Sequence, residues 1–97
     1  MPPKKVKPET VKIVEWSIYV LRCEDGSLYT GITTDVQRRF LEHQAQNNKS
    51  SKYCRSNYPL QIVYSQVIGT KSEALKKECY IKSLTKLKKE EFIEQKI

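Results

Sequence analysis

The apolar positions fall in short patterned runs separated by polar, turn-forming clusters. Residues 16–23 (WSIYVLRC) are rich in aromatic and β-branched side chains and too short for a helix, so they predict a strand. Glu24-Asp25-Gly26-Ser27 follows. Asp-Gly is a hairpin signal, because Gly tolerates positive φ at the turn. Residues 28–32 (LYTGI) then read as the return strand, and Gly31 within it marks a bulge or a close approach of another group. Thr33-Thr34-Asp35 offers N-cap residues for a helix over about 36–46. Its apolar face carries Val36 and Phe40 at i, i+4, with Arg39 and His43 as a second i, i+4 pair beside them. Residues 47–59 (NNKSSKYCRSNYP) keep no period and read as a long polar loop. Residues 60–67 (LQIVYSQV) predict a third strand, broken by Gly69. Thr70-x-x-Glu73 is a capping box that opens a helix from about 71 to 84, and a last helix over about 86–95 has Thr85 as its cap.

The order β-β-α-β-α-α predicts an α+β fold, a small three-stranded antiparallel-type sheet flanked by helices. Residues 1–15 hold three of the four Pro and four Lys, and they read as a mobile basic tail preceding a domain over 16–97. With 97 residues and 38% hydrophobic content, one small core is available and a second domain is not. No apolar run approaches the ~20 residues of a membrane helix, and no secretory signal pattern is visible. The expected setting is the cytoplasm.

Charge changes this picture. The formal net charge is +7, unevenly placed. Residues 16–46 carry three Arg against four acids, whereas 47–60 carry Lys49, Lys52 and Arg55 with no acid, and 71–97 carry eight Lys against five Glu. Such a surface favours polyanions, although a Lys-rich face also serves solubility alone. Three Cys (Cys23, Cys54, Cys79) lie 25 or more residues apart with a single His, which disfavours a zinc site and a disulfide framework. Reduced thiols are expected.

Tyr19 and Tyr29 stand mid-strand on either side of the hairpin turn, so they are approximate cross-strand neighbours. Packing is the ordinary role of such a pair. A helix docking Val36 and Phe40 on the hairpin brings Arg39 and His43 to the edge of the same face, where Arg suits phosphate. In the next helix, Ala74, Leu75, Glu78, Ile81, Lys82 and Thr85 follow one stripe. Glu78 is then on or beside a packed face, where a carboxylate needs a metal or a partner such as Lys82 at i+4.

These residues carry a resemblance. Ser17-Ile18-Tyr19, then Tyr29-Thr30-Gly31 ten residues on, Thr33, Asp35, Arg38-Arg39, His43, Glu78, Ile81-Lys82 and Lys88 resemble the GIY-YIG endonucleases, and more closely the small single-domain branch of that family. The resemblance covers about residues 16–92. Ser17 stands where the first motif has Gly, and Thr30 where the second has Ile. It implies a metal-dependent phosphodiesterase acting on nucleic acid, DNA ahead of RNA, in repair or nucleic-acid processing. Tyr19 matches the motif tyrosine beside the attacking water, and Tyr29 the second tyrosine that arranges nucleophile and phosphate. Gly31 matches the glycine where a side chain would obstruct the site. Arg39 matches the phosphate-binding arginine, and His43 a position in the proton network. Glu78 matches the carboxylate that binds one divalent cation, Mg²⁺ or Mn²⁺, and Lys82 and Lys88 match recurrent basic positions.

Within 97 residues no separate DNA-recognition domain is expected. Grip on substrate is therefore expected from the tail, from Lys49, Lys52 and Arg55, from the Lys-rich helices, or from a protein partner. Two other classes stay open: a non-catalytic nucleic-acid-binding module with the same fold, and a protein-interaction domain with a solubilising surface.

Overall fold

A computed structural model describes residues 14–96. The basic tail expected over 1–15 lies outside the described residues, except for Val14 and Glu15. The elements are β1 (Trp16–Cys23), β2 (Leu28–Thr33), α1 (Val36–Gln44), α2 (Lys52–Ser56), β3 (Pro59–Gly69), α3 (Lys71–Ser83) and α4 (Lys86–Lys96). The sheet order is β2-β1-β3, with both pairings antiparallel. This is the expected α+β arrangement. No helix among the described residues is long and apolar enough to cross a membrane.

Local chemistry accounts for the element boundaries. In the β1–β2 turn, Gly26 adopts a φ of 85° and its N–H donates to the Cys23 carbonyl at 2.9 Å. The Asp25 carboxylate accepts from the Ser27 N–H at 3.0 Å, an Asx turn. Asp35 caps α1 by accepting from the Arg38 N–H, and Thr70 with Glu73 forms the reciprocal capping box of α3.

β1 is central, and both of its faces are covered. Ile18 and Val20 point to one side, where they pack with Leu28, Tyr64, Ile81 of α3 and Ile93 of α4. Tyr19 and Leu21 point to the other, where they pack with Cys54 of α2, with Val36 and Phe40 of α1, and with Tyr29 and Ile62. Hence β1 reads as a near-continuous apolar run rather than an alternating one. Opposite Val20 and Leu21 the β3 register slips by one residue, so Val20 pairs with Tyr64 and Leu21 with Ile62. The extra residue, Val63, is a bulge that sends Ile62 and Tyr64 to opposite faces.

Three local expectations change. The polar stretch 47–59 is not all loop, because it contains α2. β3 is longer than 60–67 at both ends. On α3, Ala74 and Ile81 are buried, but Leu75 is 45% exposed and does not face the sheet. Ala74, Glu78 and Ile81 form one i, i+4, i+7 line, and Leu75 lies one residue off it. The small Ala74 lets the helix seat along that narrow line.

At one end of the α3/α4 side, Arg22 of β1 makes a two-pronged ion pair with Glu90 of α4, at 2.5 and 2.8 Å. These bonds hold the Glu90 carboxyl down at about 2. Cys23 and Cys54 are buried free thiols, and burial pushes both thiol pKa values up, as befits packing residues.

Thr30 faces Val20 across the β1–β2 ladder and therefore lies on the α3 side. Its hydroxyl is buried with no hydrogen-bond partner among the described residues. An unpaired buried hydroxyl costs on the order of 1–3 kcal/mol. Thr30→Val keeps the shape and removes that group, so it is expected to raise unfolding free energy by about 1 kcal/mol. An unchanged or lower urea midpoint would refute this.

Candidate active site

Four of the candidate residues, Tyr19, Tyr29, Arg39 and His43, assemble on the α1 side of the sheet. Tyr19 and Tyr29 are not direct cross-strand partners: Tyr19 pairs with Gly31 and Leu21 with Tyr29. The two tyrosines are diagonal neighbours on one face, with ring centroids 6.3 Å apart. The ladder closes on the pair Arg22–Leu28, so it is centred on Asp25, whereas a direct Tyr19–Tyr29 pair would need it centred one residue earlier, on Glu24.

The pairing with Gly31 explains the glycine. A Cβ at Gly31 would lie 2.5 Å from the Tyr19 hydroxyl oxygen and 2.7 Å from the ring carbon that bears it. The phenol of Tyr19 lies across the Gly31 backbone, in space that any other residue would fill. Tyr19 itself is 1% exposed.

α1 delivers the next two groups. Its apolar line, Val36 and Phe40, docks on the tyrosine side of the sheet. That turns His43 fully inward, at 0% exposure, and leaves Arg39 half-buried at the margin. His43 Nε2 is 2.8 Å from the Tyr19 hydroxyl, and its Nδ1 accepts from the Ser51 N–H at 3.1 Å. The His43 ring also meets Tyr29 edge-on, at 5.3 Å between centroids. Arg39 lies close enough to Tyr19 for its charge to favour the phenolate. Its Nη1 donates to Glu42 Oε1 at 2.9 Å and to the Lys49 carbonyl at 2.7 Å.

Burial sets the electrostatics. Desolvation raises the Tyr19 phenol well above its ordinary value; Tyr29 adds to the rise and Arg39 opposes it. Desolvation also lowers His43 to about 4, with the Arg39 charge acting in the same direction. His43 is therefore neutral at physiological pH.

α2 adds residues that sequence reasoning did not single out. Gln46 takes a left-handed φ of 53°, which stops α1 at Gln44. Its side-chain amide donates to the carbonyls of Cys54 and Arg55, tying α2 to the end of α1. Ser51 caps α2, Cys54 anchors it in the core, and Tyr53 stacks on Tyr29 with centroids 5.7 Å apart and planes 26° from parallel. The Tyr53 hydroxyl donates to Ser27 Oγ. Five residues are too few to show a helical period. The available signal was Ser51 three residues before the apolar Cys54.

The basic residues divide between the two sides. Lys49, Lys52 and Arg55 are exposed on the segment that carries α2. Lys82 is ion-paired with Glu78 at 3.1 Å, and Lys88 reaches Glu91 at 3.8 Å. Glu78 is not brought to the tyrosine group by any hydrogen bond. It lies half-buried on the Ala74–Ile81 line of α3, with Lys82 as its partner. No cluster of three or more His, Cys, Asp or Glu able to hold an ion occurs among the described residues. A lone carboxylate does not make a protein cage for zinc, but it fits a hard cation that keeps most of its water and takes further oxygens from phosphate.

Two outcomes follow from this geometry. An unfolded His43 binds a proton below pH ~6.5, whereas the folded one does not until about 4. Its contribution to stability is therefore complete above pH ~6.5 and is lost as pH falls toward 4. Between pH 7 and 5, where carboxylates barely titrate, unfolding free energy should drop by about 1–2 kcal/mol. A His43→Gln protein should be flat over that range, and equal slopes would refute the assignment. Gly31→Ala should cost about 1–3 kcal/mol in urea denaturation by driving a methyl into the Tyr19 phenol. A neutral or stabilising effect would show that the phenol yields freely.

Comparison with known proteins identifies the family and supports the fold. A family model described as the GIY-YIG catalytic domain matches residues 15–91. A UPF0213 protein of Cronobacter sakazakii is 49% identical over 79 residues, covering 81% of each chain. The solution NMR structure of a UPF0213 protein from Bacillus halodurans superimposes with a TM-score of 0.55 at 39% identity, covering 84% of this chain and 85% of that one. A solution NMR structure of a protein from E. faecalis gives a TM-score of 0.57 at 33% identity, covering 84% of each chain. The chain belongs to the GIY-YIG catalytic-domain family, a family of nucleases.

Proposed function

We propose that this protein is a divalent-metal-dependent endonuclease that hydrolyses phosphodiester bonds, in DNA ahead of RNA, with a role in repair or nucleic-acid processing. The observation that supports it most is the convergence of Tyr19, Tyr29, Arg39 and His43 around one buried phenol oxygen, beside an exposed basic segment.

Hydrolysis needs an activated water, neutralised phosphoryl oxygens and help for the leaving oxygen. Arg39 carries a permanent charge and a planar fork suited to phosphate. A phosphate arriving there replaces Glu42 and the Lys49 carbonyl as its partners. Tyr19, as base or relay, takes the proton released as water attacks phosphorus. Its high resting pKa makes a nearby positive charge necessary, and Arg39 supplies part of it. Tyr29 walls the other side of the phenol and lines up water and phosphate. Glu78 would hold the cation once it parts from Lys82. Bound Mg²⁺ or Mn²⁺ supplies Lewis-acid stabilisation of charge on the phosphate and the leaving oxygen.

Substrate contacts fall to Lys49, Lys52 and Arg55, with Tyr53 (37% exposed) as an aromatic neighbour, and to Lys82 and Lys88. These are mostly phosphate contacts, so binding is salt-sensitive and weak in sequence preference, and a protein partner supplies the remaining specificity.

The test is cleavage of nicked, branched, single-stranded and duplex substrates with Mg²⁺ or Mn²⁺. Arg39→Ala and Glu78→Ala should each lower cleavage at least ~10²-fold. Variants that cut as well as the parent chain, or no cleavage of any substrate, would overturn the proposal. Salt-sensitive binding without turnover, unaffected by Glu78→Ala, would instead mark a non-catalytic nucleic-acid-binding module.

A further inference from the structure

The turn between α1 and α2 reaches the two α1 side chains of the site through its main chain. The Lys49 carbonyl accepts from Arg39, and the Ser51 N–H donates to His43 Nδ1. The turn is itself braced: the Asn47 side chain accepts from the Lys49 N–H at 2.9 Å, and the Asn47 carbonyl accepts from the Ser50 N–H at 3.1 Å. Gln46 then joins it to α2.

A main-chain N–H can only donate, so the ring nitrogen it meets must be the unprotonated one. A neutral imidazole carries one proton, which is then on Nε2. Nε2 lies 2.8 Å from the Tyr19 oxygen, so His43 donates and Tyr19 accepts. The other tautomer would set an Nδ1–H against the Ser51 N–H, two donors facing each other in a buried site.

We infer that Ser51 is a positioning residue whose main-chain N–H commits His43 to donate to Tyr19, so that His43 cannot be the group that removes the Tyr19 proton. The phenol oxygen faces the His43 donor at 2.8 Å, and the nearby Arg39 charge favours its ionised form. Its own proton is left for a group outside this pair, a phosphate oxygen, as the attacking water gives its proton to Tyr19. When Tyr19 loses that proton, the His43 donor already stands in place beside the phenolate, within the field of Arg39. The role of His43 is thereby to hold the oxygen and stabilise its charge, with no proton passing to the imidazole. This deepens the nuclease reading and rests on it for the consequence to catalysis; the hydrogen-bond assignment is measurable without any cleavage assay.

The experiment uses the full ¹⁵N-labelled chain at pH 7. Long-range imidazole correlations should show His43 as the Nε2–H tautomer, with a coupling across the hydrogen bond between the Ser51 amide nitrogen and His43 Nδ1. An Nδ1–H tautomer overturns the inference. Ser51→Pro removes the N–H at a residue whose φ of −65° already suits proline, whereas Ser51→Ala removes only the hydroxyl cap and keeps the N–H. Ser51→Ala should hold the parent tautomer. Ser51→Pro should lose it, with kcat roughly 10–100-fold below that of Ser51→Ala and KM within a few fold. Equal tautomers and equal kcat in the two variants overturn the positioning role. If Ser51→Pro does not fold, the coupling in the parent chain decides. A parent chain that cuts nothing yet shows the Nε2–H tautomer sinks the nuclease reading and upholds the assignment.

Discussion

The contact between the Tyr19 hydroxyl and His43 Nε2 is the constraint around which the tyrosine side of the molecule is arranged. Both groups are withdrawn from water, and a buried polar atom without a partner costs more than a paired one returns. The contact therefore has to be made, and making it places demands on four parts of the chain. β1 must be central so that Tyr19 is covered. β2 must offer a glycine where the phenol crosses it. α1 must dock through Val36 and Phe40 at the rotation that turns His43 inward. The turn after α1 must bring an N–H to the far side of the ring.

The opposite side of the sheet obeys a simpler logic. Ile18, Val20, Ile81 and Ile93 form an apolar layer, with the Arg22–Glu90 pair at one end. The lysines of α3 and α4 are less available than their number implies, because Lys82, Lys86 and Lys88 all have glutamate partners one turn away. The lysine ends of these pairs are exposed, so the pairs are weak and shape the local field without committing it. Lys49, Lys52 and Arg55 are exposed on the segment that borders the aromatic group, with no acidic residue between positions 47 and 60.

Thr30 and Glu78 show the limits of reading either side by type alone. Thr30 fills a β position with the right shape, but its hydroxyl is buried with no hydrogen-bond partner among the described residues. Glu78 sits on the seated line of α3 as expected, and its visible partner is the plainer of the two foreseen, Lys82. Glu78 is thus a half-buried carboxylate whose ion-pair partner is an exposed lysine one turn on.

Periodicity and capping chemistry in the sequence determined the three strands, the hairpin turn, the capping box of α3 and the face of α1 that packs. All of these depend on residues within about four positions of one another. The motif residues Tyr19, Tyr29, Gly31, Arg39, His43 and Glu78 were legible as types in order, through their resemblance to a family. Tertiary structure alone decided the rest. The diagonal register of the tyrosines depends on turn length, and the exposure of Leu75 on how closely Ala74 lets α3 approach. The helix α2 depends on Cys54 finding a core and Gln46 turning left-handed. Most of all, the orientation of His43 is set by a main-chain N–H eight residues away. Every residue but proline carries that group, so no pattern of side chains could have announced it.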